Sequence, residues 1–163
     1  MTFGHFQSFS GEKGLNTLNM SYCYKITADA FKNLRGIKNL NMEGCTKITD
    51  KAFENLRGIK NLNMQGCTKI TDKAFENLRG IHTLDMSSCR EIADKAFENL
   101  RGIHTLKMSD CTQITDEAQF ENLLGINTLH MYDCRVSSIA SARRVLGNVI
   151  TCFGGGFEFD DES

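Results

Sequence analysis

Residues 42–63 read MEGCTKITDKAFENLRGIKNLN, and the next twenty-two, 64–85, read MQGCTKITDKAFENLRGIHTLD. The repetition extends along the chain: cysteines at 23, 45, 67, 89, 111 and 134 are separated by 22, 22, 22, 22 and 23 residues. A fixed period of this length dictates a stack of like units, each able to bury its apolar face only against its neighbours. Aligned on the cysteines, the repeats begin at Gly14, Gly36, Gly58, Gly80, Gly102 and Gly125. The one longer step is Gln119, inserted between Ala118 and Phe120.

Two periodicities coexist inside each unit. In the second repeat, Leu40, Asn41 and Met42 alternate apolar, polar, apolar, as a short strand with one buried face does. Ala52, Phe53 and Leu56 fall at i, i+1 and i+4, one side of a helix. Thr49 or Asp50 stands where an N-cap is wanted, and Gly58 follows Arg57 where a left-handed C-terminal residue is wanted. The unit predicted is therefore a strand, a turn, a helix of about two turns and a glycine turn. So short a helix is unstable alone, so stacking must hold it. Ile37, Leu40, Met42, Cys45, Ile48, Ala52, Phe53 and Leu56 then belong to one continuous apolar column.

The ends differ from the middle. Of eleven Phe residues, five form the helix column (Phe31, Phe53, Phe75, Phe97, Phe120) and six lie near the ends: Phe3, Phe6, Phe9, Phe153, Phe157 and Phe159. A solenoid needs its terminal columns covered, so these six are expected to cap the stack. Residues 1–13 read as an N-terminal cap left from half a repeat, and 14–146 as six repeats. Residues 147–153 read as a degenerate seventh strand, with Ile150 and Cys152 in the Leu and Met slots. Residues 154–163, GGGFEFDDES, read as a partly mobile acidic tail.

The run from Ile37 to Cys45, I-x-x-L-x-M-x-x-C, followed by C-x-x-I-T-D, resembles the cysteine-containing class of leucine-rich repeats found in F-box substrate receptors of ubiquitin ligases. The resemblance implies a right-handed α/β solenoid curved as a horseshoe arc, with a parallel sheet on the concave face and short helices on the convex face. It also implies partner binding on the concave side. The repeat is shorter than that class usually shows, and no F-box precedes it. A ligase role therefore does not follow from the fold. The near-identity of the second and third repeats resembles recent duplication, as in repeat expansions of amoebae, their large DNA viruses and their bacterial parasites.

Nineteen basic against twenty acidic residues leave a net charge of −1, without the positive field that nucleic acid or an anionic membrane would require. The N-terminus has no secretory signal pattern and no stretch reaches about 20 apolar residues, so the expected location is the cytoplasm, or a host's cytosol for a virus or intracellular parasite.

The cysteines Cys23, Cys45, Cys67, Cys89, Cys111 and Cys134 are too far apart in sequence for a zinc-type ligand pair. Equivalent slots in stacked repeats give parallel Cβ vectors, which suit no disulfide. They are expected to form an inert structural ladder, each thiol reaching a backbone carbonyl.

His82 and His104 share a slot two residues before Leu84 and Leu106, and with Asp85, His130 and Asp133 they are the one grouping from which a metal or acid–base site could be drawn. The preferred reading is a solvated polar surface. No phosphate loop, nucleophile elbow, zinc-protease or dinucleotide motif occurs, so no enzyme, cofactor or metal is expected. The helix faces carry columns of Asp (50, 72, 94, 116), Lys (51, 73, 95), Glu (54, 76, 98, 121) and Arg (57, 79, 101), read as a solvated face with Glu54 and Arg57 paired at i, i+3.

Scaffold columns hardly vary, whereas the polar strand positions do. After Leu the chain runs Asn19, Asn41, Asn63, Asp85, Lys107, His130; after Met it runs Ser21, Glu43, Gln65, Ser87, Ser109, Tyr132; the next column is Tyr22, Gly44, Gly66, Ser88, Asp110, Asp133. The candidate contact residues are Asn41, Glu43, Asn63, Gln65, Asp85, Lys107, Asp110, His130, Tyr132 and Asp133, with Lys38 beside them. A partner-binding patch and drift after duplication both account for the variation. Seven strands at roughly 4.8 Å make a face about 30 Å long, enough for about 800 Å² of contact per partner. The function expected is a non-catalytic scaffold binding another protein. The alternatives are a substrate-recognition subunit joining a ubiquitin ligase through a separate subunit, and a self-associating or virion structural component.

Overall fold

The computed structural model describes residues 15–147 and 150–151. Seven short strands form one parallel sheet in chain order: β1 (Thr17–Asn19), β2 (Asn39–Asn41), β3 (Asn61–Asn63), β4 (Thr83–Asp85), β5 (Thr105–Lys107), β6 (Thr128–His130) and β7 (Ile150–Thr151). The register is that of the repeat, Leu40 pairing with Leu62 and Leu62 with Leu84. A slip of one residue would turn every Leu and Met outward, so burial fixes the pairing. The expected caps, residues 1–13 and the terminal Phe residues, lie outside the described residues, as do Cys152 and the acidic tail.

The core is one column, as the repeat requires. Phe31, Phe53, Phe75, Phe97 and Phe120 are fully buried, stacked with Met42, Met64, Met86 and Met108 and with the Ile and Ala of each unit. Ring edges meet faces where Phe97 and Phe120 touch, their centroids 5.2 Å apart and their planes at 72°.

The returning segments are short helices of about two turns, as expected, and their type is distinctive. They are 3-10 helices, Ala28–Leu34, Asp50–Asn55, Asp72–Asn77, Asp94–Asn99 and Phe120–Leu123. A 3-10 helix rises about 2.0 Å per residue against 1.5 Å for an α-helix, so each of these segments spans more of the back of the stack per residue. After β6 the returning segment is instead a regular α-helix, α1, Val136–Leu146, although Leu129 and its partner Ile150 are closer in sequence than Leu40 and Leu62. Gln119 is absorbed by shortening the fifth 3-10 helix to four residues, its side chain accepting a bond from Asn122.

Capping differs from expectation. Thr71 caps its own helix by accepting from the Lys73 N–H, but Thr49 makes no such bond. Asp50 reaches sideways instead, accepting from the Thr71 N–H and hydroxyl of the next repeat, both at 2.8 Å.

Candidate functional site

Strand alternation turns Leu inward and exposes three columns on the outer face of the sheet. A shallow hollow of about 350 Å³ runs along it, from Thr17 and Asn19 through Asn39, Asn41, Asn61 and Asn63 to Asp85 and Lys107. The first column, Thr17, Asn39, Asn61, Thr83, Thr105 and Thr128, contains none of the expected contact residues, yet it sits two residues before the Asn41 column and so on the same face. Across β1 to β3 it forms a side-chain chain, Asn61 Nδ2 donating to Asn39 Oδ1 at 2.6 Å and Asn39 Nδ2 to Thr17 Oγ1 at 3.1 Å.

The second column has a local duty in four repeats. Asn19, Asn41, Asn63 and Asp85 each accept, through a side-chain oxygen, the backbone N–H two residues on. This turn device holds the chain as it leaves the strand. In β5 and β6 the slot holds Lys107 and His130, and neither side chain makes that bond. Lys107 instead lies 3.8 Å from the Asp85 carboxylate. The His130 ring stacks on Tyr132, centroids 5.8 Å apart and planes at 26°. At the N-terminal end Glu43 accepts from the Tyr22 hydroxyl and from Asn63 Nδ2, while Gln65 is exposed.

The third column needs correction. Tyr22, Gly44, Gly66, Ser88, Asp110 and Asp133 all have positive φ, from 53° at Asp133 to 68° at Gly66. Gly and Asp suit that conformation, so the variation at Asp110 and Asp133 answers a backbone requirement as well as any partner. Asp110 is moreover tied to Arg90 at 2.7 Å. Lys38 is likewise occupied, its ammonium donating to the Gly58 carbonyl at 3.1 Å.

The histidines do not assemble a site. His82 and His104 stack at 4.6 Å with planes 13° apart, and His130 lies instead against Tyr132. Rings stacked plane on plane direct their nitrogen lone pairs along parallel lines, so they do not converge on one ion. Among the described residues no group of three or more His, Cys, Asp or Glu is placed to hold a metal.

Each thiol of Cys45, Cys67, Cys89, Cys111 and Cys134 donates to the carbonyl of the Met in the preceding repeat, at 3.1 to 3.2 Å. Burial pushes the Cys67 and Cys89 thiols up to about 12 and raises Cys111 as well. A thiol so held is a poor nucleophile.

The back of the stack is not a merely solvated charge pattern. Arg35, Arg57, Arg79 and Arg101 each donate through Nε to an Asn of the next repeat, Asn55, Asn77, Asn99 and Asn122, at 2.8 to 3.0 Å. The expected Glu54–Arg57 pair does not form, because the guanidinium is directed across the repeats rather than along its own helix.

A family model described as BspA type Leucine rich repeat region, in six copies, matches residues 5–141. The chain belongs to the leucine-rich repeat family. A chain in the crystal structure of the Rad7 and Elc1 complex in yeast has a similar fold, with a TM-score of 0.51 at 15% identity, covering 80% of this leucine-rich repeat chain and 44% of that one. The likeness is thus to less than half of the yeast chain. No curated protein matches by sequence. Among the described residues no helix is long and apolar enough to cross a membrane.

Proposed function

We propose that this leucine-rich repeat chain is a non-catalytic scaffold that binds another protein on the outer face of its sheet, centred on Lys107, His130 and Tyr132. The observation that carries this reading is the lapse of the Asn/Asp turn device at Lys107 and His130. Four repeats keep an Asn or Asp that satisfies the backbone N–H two residues on; the fifth and sixth carry a cation and an imidazole in that slot, and in the sixth the Tyr132 N–H is taken by the Ser109 hydroxyl at 3.2 Å. Such a bond is worth about 0.5–1.5 kcal/mol, so drift alone would tend to keep it.

The patch has the composition of a contact centre, a tyrosine stacked on a ring beside a cation, on strands that hold it rigid. The hollow along the same face favours a convex or extended partner. The similar yeast fold was solved as a complex of two proteins, which agrees with a binding role.

The test compares affinity capture by the unmodified chain with capture by Lys107→Ala/His130→Ala/Tyr132→Ala. A partner retained by the first and lost by the second supports the proposal. Identical captured sets for a folded variant would sink it.

A further inference from the structure

Each strand runs into its turn along one edge of the stack, and the N-terminal half of that edge is basic. Lys25, Lys47 and Lys69 occupy the same slot of the first three repeats, two residues after the cysteine, and all three are exposed. None takes part in an ion pair among the described residues. Adjacent strands lie roughly 4.8 Å apart, so the three side chains leave the stack as a file of like charge.

Beside them Tyr22 and Tyr24 are 53% and 56% exposed, their rings 6.3 Å apart. Tyr22 holds φ 58°, where other repeats place Gly, Ser or Asp. That conformation is costly for a bulky residue. Its ring is fixed over Gly44, where an added Cβ would meet Tyr22 Cδ1 at 2.6 Å, and its hydroxyl is bonded to Glu43. A strained, pinned Tyr22 with the exposed Tyr24 ring beside it, next to three ammonium groups outside any ion pair, makes a surface suited to an acidic segment carrying aromatic rings.

The chain contains such a segment. Residues 157–162 read FEFDDE, two Phe and four carboxylates, after the permissive run Gly154–Gly156. The charge is divided along the sequence in the same sense: residues 1–79 hold twelve Lys and Arg against seven Asp and Glu, and residues 80–163 hold seven against thirteen.

The distances match as well. β7 ends at Thr151, in register with His130, at the strand end that faces this edge. From β7 the slots of Lys69 and Lys25 lie four and six strand spacings away, about 19 and 29 Å. Extended chain from Thr151 reaches about 23 Å by Glu158 and about 36 Å by Glu162. A tether that spans its site outcompetes the same segment on another molecule at ordinary concentration.

We propose that Phe157–Glu162 docks on the Tyr22, Lys25, Lys47 and Lys69 edge of its own chain, carboxylates facing the ammonium groups and a Phe ring against the tyrosines. The site takes in Tyr22 at the N-terminal end of the outer face and leaves Lys107, His130 and Tyr132, four and five strands along, open.

The chain has no Trp, so Phe159→Trp in the 163-residue chain supplies a single reporter. Blue-shifted emission and weak acrylamide quenching are expected, both reverting to those of an exposed indole in Lys25→Glu/Lys47→Glu/Lys69→Glu. They should revert equally in about 0.5 M salt, where screening cuts exposed ion pairs without any change of sequence. Carbodiimide coupling of the unmodified protein, read by peptide mass spectrometry on the monomer fraction, should join Glu158, Asp160, Asp161 or Glu162 to those three lysines in preference to Lys73 and Lys95. An indole exposed in both backgrounds, coupling without preference among lysines, or protection that appears only as sedimentation shows dimers would each overturn the proposal.

Discussion

Replacing Ala93 by Thr should stabilise the fold, because it completes a ladder that the chain leaves unfinished at one rung. Asp50 accepts two bonds from Thr71, from the backbone N–H and from the hydroxyl. Asp94 accepts the same two from Thr115, at 2.7 and 2.6 Å. Asp72 receives only the Ala93 N–H, at 2.8 Å. Burial raises the Asp72 carboxyl above its ordinary value, and the one backbone bond offsets this only in part.

A threonine hydroxyl would donate to the second carboxylate oxygen. It could also accept from the Lys95 N–H, as Thr115 does from Glu117 at 3.1 Å. Ala93 is already extended, φ −124° and ψ −165°, which a β-branched residue adopts without strain. A bond to a charged group contributes about 1.5–3 kcal/mol when buried. At this half-exposed site about 1 kcal/mol is the expected gain, a rise in Tm of about 3 °C for a chain of this size.

The sign of the pH dependence follows from the raised carboxyl. The stability that protonated Asp72 provides is fully present below its ordinary 3.8 and is lost as pH rises through its folded value. The new hydroxyl favours the charged form, so its benefit should be full at neutral pH and shrink as Asp72 protonates. Urea unfolding at both pH values, repeated in an Asp72→Ala background, measures this. A gain that survives undiminished in that background, or that is equal at acidic pH, would refute the reasoning.

Two further outcomes are expected. Gly44→Ala places a methyl 2.6 Å from the Tyr22 ring at φ 67° and should cost about 1–2 kcal/mol of unfolding free energy; pairing it with Tyr22→Gly should recover part of the loss, since the ring would be gone. The fully buried Cys45, Cys67, Cys89 and Cys111 should resist alkylation in the native state at mildly alkaline pH, while half-buried Cys23 reacts ahead of these four, as peptide mass mapping over time would show.

The candidate face shows how far residues alone carry the reading. Lys107, His130 and Tyr132 stood out as departures from their columns, and the alternation around Leu106 and Leu129 placed them on one surface. That Lys107 leans on Asp85, or that Asn41 is committed to its own turn, depends on side-chain directions that column identity does not contain. The positive φ shared by Gly44, Asp110 and Asp133 had a legible sign, since Gly, Ser and Asp alternate there, but Tyr22 masked it.

The period of the chain determined the stack, the parallel register and the buried column, because only in-register neighbours can cover Ile, Leu, Met and Phe at every unit. Tertiary structure alone decided what the polar columns do. Glu54 is three residues from Arg57 in sequence, yet Arg57 bonds Asn77, twenty residues on; Asp50 sits beside its own helix, yet serves Thr71 of the next repeat. The spacing between turns brings such groups nearer than the helix does, and that distance exists only after the units have stacked.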